Sequence, residues 1–121
     1  MNTGGLRNWL RAYGEAWEGR DAEAASQLFS EDARYFETPY AEPFRGRDGI
    51  RGYWAKVTDD QREVDFNSEA LGFLGATGVA RWSARFKLAS NGVAVELNGV
   101  FLLEFDENGL CSRLREWWHA R

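Results

Sequence analysis

Cysteine, histidine and proline are all scarce in this 121-residue chain, with one, one and two copies. A lone cysteine, Cys111, has no internal disulfide partner, which fits a reducing compartment and sets the expectation of a cytoplasmic protein. A lone histidine, His119, without a Cys/His cluster argues against a zinc site, so no metal is expected. Long apolar runs are missing too. The opening residues MNTGGLRNWL hold no signal core, and no run is long enough to span a bilayer, so no membrane partner is expected. Basic residues never cluster beyond isolated pairs and the net charge is −4, which argues against a nucleic-acid partner, whose phosphates need a cationic patch.

What the chain has in excess is aromatic. Phe, Trp and Tyr make up 15% of it, with six Trp. So many large rings suggest a cavity or groove, although rings also fill ordinary cores. The length suits one domain over residues 1–121 with a sizeable core.

Both prolines fall in one stretch, Glu31 to Trp54. It opens on an acidic turn, Glu31-Asp32, and runs through a short aromatic strand, Ala33 to Phe36, that ends at Glu37. Pro39 and Pro43 then fix a connection that is not helix. A carboxylate at a strand end beside a rigid loop is a plausible place for acid–base chemistry, and the rest of the chain reads as a box around it.

Leu6, Trp9, Leu10, Tyr13 and Trp17 recur at steps of three and four, giving a helix from about Leu6 to Glu18 that ends near Gly19. Asp21 caps a second helix, Ala22 to Phe29, packed through Leu28 and Phe29. A third, about Asp48 to Val57, carries Ile50, Tyr53 and Trp54 on one face. Arg62 to Leu74 alternates roughly, and Ala76-Thr77-Gly78 turns the chain. Ala80, Trp82, Ala84, Phe86 and Leu88 then alternate with polar residues, as one dry face of a strand does. After an Asn91-Gly92 hairpin turn, Val93, Val95, Leu97, Phe101 and Leu103 line the dry face. Val100 and Leu102 break the wet one, which suggests a cover such as a second subunit. Past a turn at Asp106 to Gly109, the last strand puts Leu110, Ser112, Leu114, Glu116 and Trp118 on one side. Cys111, Arg113, Arg115, Trp117 and His119 fall on the other, and His119 reads as a strand-end residue. The fold class is α+β: three N-terminal helices on one side of a curved, mostly antiparallel sheet.

Four short motifs carry a resemblance along nearly the whole chain. They are Tyr13 followed by Gly19-Arg20-Asp21; Asp32-Ala33; Pro43-Phe44-Arg45-Gly46-Arg47-Asp48-Gly49-Ile50; and Phe105-Asp106-Glu107-Asn108-Gly109. In this order they resemble the nuclear transport factor 2-like superfamily, in its SnoaL-like and ketosteroid-isomerase-like branch. The resemblance implies a cone-shaped fold, a homodimer and a pocket for a small apolar ligand, but this fold hosts enzymes and binding proteins alike. It further implies that Tyr13 stands at an oxyanion-binding tyrosine and Glu37 at the general base, with Trp54 at a supporting tyrosine and Trp118 at a bulky pocket residue. Phe101 stands where the isomerase has its second oxyanion donor, a protonated aspartate, so half of that oxyanion hole is missing. The superfamily's epoxide hydrolases use an Asp-Arg-Asp set, whereas Arg81 and Arg85 have outward parity here.

Three side chains keep two readings each. Tyr13 is a core tyrosine or a donor facing the pocket. Glu37 is a solvated strand end or a pocket base. Glu116, the one ionisable group on its dry face, is a structural partner for Arg81 or Arg115, or a pocket acid with a raised pKa. Trp54, Trp82, Phe86, Phe101 and Trp118 are the expected ligand-contacting rings. The functional expectation from the resemblance is cofactor-free proton-transfer chemistry, such as isomerisation, cyclisation or dehydration, by Glu37, Tyr13 and Glu116. The alternative is a non-catalytic binding or interaction domain.

Overall fold

The computed structural model describes every residue, Met1–Arg121. Three helices are present: α1 (Thr3–Glu18), α2 (Ala22–Ser26) and α3 (Gly46–Thr58). Six strands complete the chain: β1 (Phe29–Phe36), β2 (Phe44–Arg45), β3 (Gln61–Leu74), β4 (Thr77–Leu88), β5 (Ala94–Phe105) and β6 (Cys111–Ala120). They form one sheet in the order β2-β1-β6-β5-β4-β3. All neighbours are antiparallel except β1 and β6, which run parallel. No helix is long and apolar enough to cross a membrane.

The apolar stripe of α1 is buried as its spacing requires, with Leu6, Leu10 and Tyr13 essentially without exposed surface. Asn2 caps the helix by accepting from the Gly5 amide, and Asp21 caps α2 by accepting from Ala24. α1 packs on β3, and α3 lies against β1 and α2. One core of 21 buried residues joins the helices to the inner face of the sheet.

The second helix is shorter than its sequence suggests. It stops at Ser26, whose hydroxyl donates to the Glu23 carbonyl, and Phe29 instead opens β1 opposite Cys111. Glu31-Asp32 is not a free turn but an irregularity inside β1. Both residues are exposed, and the register with β6 slips between Phe29 and Arg34.

Cys111 corrects a second expectation, for it is fully buried rather than on the wet face. Phe105 pairs with Cys111 while Glu104 pairs with Arg113, so Ser112 is an extra residue in the ladder. Its hydroxyl donates to the Glu104 carbonyl. One inserted residue reverses parity on either side of it. Burial accordingly pushes the Cys111 thiol pKa up, so it is not an activated nucleophile.

Candidate active site

A cavity of about 210 Å³ lies between the helices and the inner face of the sheet. Tyr13 and Trp17 reach it from α1, one turn apart on the same face. Tyr35 comes from β1, with Glu37 two residues on, just past the strand end. Tyr53, Trp54 and Val57 come from α3, and Gln61 opens β3. Trp82 and Phe86 share the inner parity of β4, Leu97 that of β5, and Glu116 and Trp118 that of β6.

Glu37, Tyr13, Glu116, Trp54, Trp82, Phe86 and Trp118 therefore meet at one cavity. Phe101 does not line it. Its ring is fully buried behind the wall, stacked on Trp82 at 5.1 Å and edge-on to Tyr13 at 5.5 Å. Tyr35, Tyr53, Trp17 and Gln61 line the cavity without having been picked out as site residues. The first and third were recoverable by period, Tyr35 lying two residues before Glu37 on a strand and Trp17 four after Tyr13 on a helix.

The polar groups are held in distinct ways. The Tyr13 and Tyr35 hydroxyls are hydrogen-bonded to each other at 3.0 Å. The Trp17 indole donates to Gln61 Oε1 at 2.7 Å. Trp118, more than a third exposed, donates from its indole nitrogen to the Glu37 carbonyl at 3.3 Å, which ties the strand end to β6. Glycine at 99 seats the wall: a Cβ there would run into the Trp117 carbonyl and come within 2.9 Å of the Trp82 indole.

Glu116 is buried, at 6% exposure, and is the most perturbed acid of the site. Burial raises its pKa well above the ordinary carboxylate value, and Glu37 adds to the rise. The arginine partnership foreseen for it does not form. Arg81 is exposed on the opposite face, and the Arg115 guanidinium lies 4.0 Å from Glu104. Burial, and then Glu116, raise the pKa values of Tyr13, Tyr35 and Tyr53, so all three phenols stay protonated at neutral pH. The cavity thus offers a carboxyl that favours its protonated form, hydroxyl groups, and a second carboxylate at Glu37.

Two features lie outside the site. A larger groove of about 640 Å³ between α1 and β3 is open and charged, lined by Arg7, Arg11, Glu15 and Glu18 among others. His119 is exposed near the end of β6, away from the cavity. No group of three or more His, Cys, Asp or Glu side chains is placed to hold a metal ion.

Residues 10–114 match the SnoaL-like domain family. A comparison with curated proteins yields no match. Among solved structures, a proposed isomerase from Bacillus subtilis superposes with a TM-score of 0.85 at 18% identity, over 98% of this chain and 90% of that one. The epoxide hydrolase/cyclase-like enzyme SalBIII, of pyran ring formation in the polyether salinomycin, superposes at 0.79 with 20% identity, over 93% and 89%. A Catenulispora acidiphila protein with a ketosteroid isomerase-like fold, in complex with trimethylamine, superposes at 0.78 with 17% identity, over 90% and 83%. At these identities the likeness is one of fold.

Proposed function

The chain belongs to the SnoaL-like domain family, and from that footing we propose that the cavity is a cofactor-free proton-transfer site. Its substrate is a compact carbonyl or ring compound. The observation that carries this reading is the pair of carboxyl groups on one aromatic cavity, with Glu116 buried, free of any cation and raised in pKa next to Glu37. Two acids whose environments differ in this way divide into a base and a proton-holding donor.

Glu37 takes a proton from carbon beside the carbonyl. The electron pair of that bond moves to the carbonyl oxygen, which Glu116 and Tyr13 stabilise by donating O–H groups. Return of the proton to another carbon completes an isomerisation. Phe101 leaves the isomerase's second donor position without a hydroxyl, but its register partner across the β5–β6 ladder is Glu116. A donor one strand over supports the same role. The cavity is below the ~300–1,000 Å³ usual for drug-sized ligands, which favours a small substrate over a fused polycyclic one.

Exchange of the α-protons of 3-cyclohexen-1-one in D₂O, or its conversion to the conjugated ketone, tests the chemistry. Glu37→Gln keeps size but removes the basic lone pair, so the rate should fall by ~10²–10⁴-fold while folding survives. Full activity in the folded variant would overturn the mechanism. A second reading, a non-catalytic binding domain, is favoured by the Tyr13 hydroxyl being engaged with Tyr35. Under it, small ketones perturb tryptophan fluorescence with no pH dependence and undergo no exchange.

A further inference from the structure

We infer that the cavity of Glu37 and Glu116 accepts a small alkylammonium cation, lodged between the two carboxylates and the aromatic wall. This rests only on the reading of the cavity as the ligand site; a cation that ionises Glu116 competes there with the carbonyl compound, for which Glu116 keeps its proton. No lysine, arginine or histidine lines the cavity, so its only charged groups are the two glutamates. A small anion would meet them unscreened.

Glu116 is the second, independent pointer. It is more than nine-tenths buried, faces the cavity, and is perturbed only by burial and by Glu37, with neither a hydrogen bond nor a cation offsetting them. A buried carboxyl in that position either keeps its proton or takes up a positive partner. The walls supply the rest of a cation site. Trp17, Trp54 and Trp118 line the same cavity, and indole rings are the strongest π-partners for an ammonium. The volume suits a trimethylammonium-sized group.

A bound cation favours the ionised form of Glu116, so binding should release a proton from it. The other titratable groups facing it are Glu37 beyond β1, Tyr13 on α1, Tyr35 on β1 and Tyr53 on α3. The three phenols hold their protons more firmly than usual, so the proton comes from a carboxyl, and Glu116→Gln tells whether it is that of Glu116.

The test is calorimetry with choline chloride and its uncharged isostere 3,3-dimethyl-1-butanol, at fixed ionic strength and in buffers of different ionisation enthalpy. Choline should bind at least about tenfold more tightly than the alcohol and release up to one proton, the effect of a cation–π and carboxylate site. Glu116→Gln should erase the preference and the proton release. The wild-type pair alone decides the matter should that variant fail to fold. Equal binding of the two probes would overturn the cation inference and leave the proton-transfer reading standing. Binding of neither, together with no exchange of 3-cyclohexen-1-one, would overturn both.

Discussion

Glu116 is the most perturbed carboxyl of the cavity, and its raised pKa has a stability consequence with a definite sign. The folded state holds the Glu116 proton more tightly than the unfolded chain does. Between the ordinary glutamate value and the raised one, the folded state therefore binds more protons, and stability falls as pH rises through that window. Glu116→Gln removes the titration. Its melting temperature should match wild type near pH 4.5 and exceed it increasingly toward alkaline pH, measured by circular dichroism. A structural ion-pair partner would give the opposite result, with the variant less stable at neutral pH. Gly99 makes a second prediction at this scale. Gly99→Ala drives a methyl into the Trp117 carbonyl and the Trp82 indole, so it should cost roughly 1–3 kcal/mol, read as a lower denaturant midpoint. Should Gly99→Ala match wild type, the Trp82 wall is not seated as described.

At the scale of elements, the bulge at Ser112 decides which residues of β6 face the core. With Cys111 turned inward, its thiol should be inert to a disulfide reagent in the native protein and react only at the rate of unfolding. Rapid labelling of native protein would mean a regular ladder with Cys111 outside. The same element shows what sequence pattern carries and where it stops. Leu114, Glu116 and the inner residues of β4 follow the period of two, and the α1 stripe follows that of a helix, because burial of one face is what these patterns encode. A bulge leaves no such mark, since one inserted serine changes parity without changing composition. The short α2 was over-extended for a related reason. Leu28 and Phe29 suit a helix stripe as well as a strand start, and only the pairing of Phe29 with Cys111 separates the two. Of the cavity, Glu37, Tyr13 and Glu116 were legible by motif and face. Phe101 was misjudged because parity tells inward from outward but not wall from the layer behind it.

At the scale of the molecule, the outer face of the sheet carries an apolar strip. Val100 and Trp117 are register partners there, exposed by 37% and 45%, with Leu102 half-buried alongside. This motivates the expectation of a homodimer joined through that face. Light scattering at micromolar concentration should report twice the monomer mass, and Trp117→Glu should shift it to monomer without unfolding the chain. A wild-type monomer would sink the idea. The strand order has another outcome, which concerns time rather than shape. β6 is last in the sequence yet sits inside the sheet, with β1 on one side and β5 on the other. During synthesis, the early helices and β1 emerge long before the strand that joins them to β3–β5. Until then the two portions of the sheet have no ladder between them, and Glu37 waits on one side for a partner not yet made. Contacts so distant along the chain form slowly. The pocket therefore closes only when β6 has joined β1 to β5, a late and long-range step of folding.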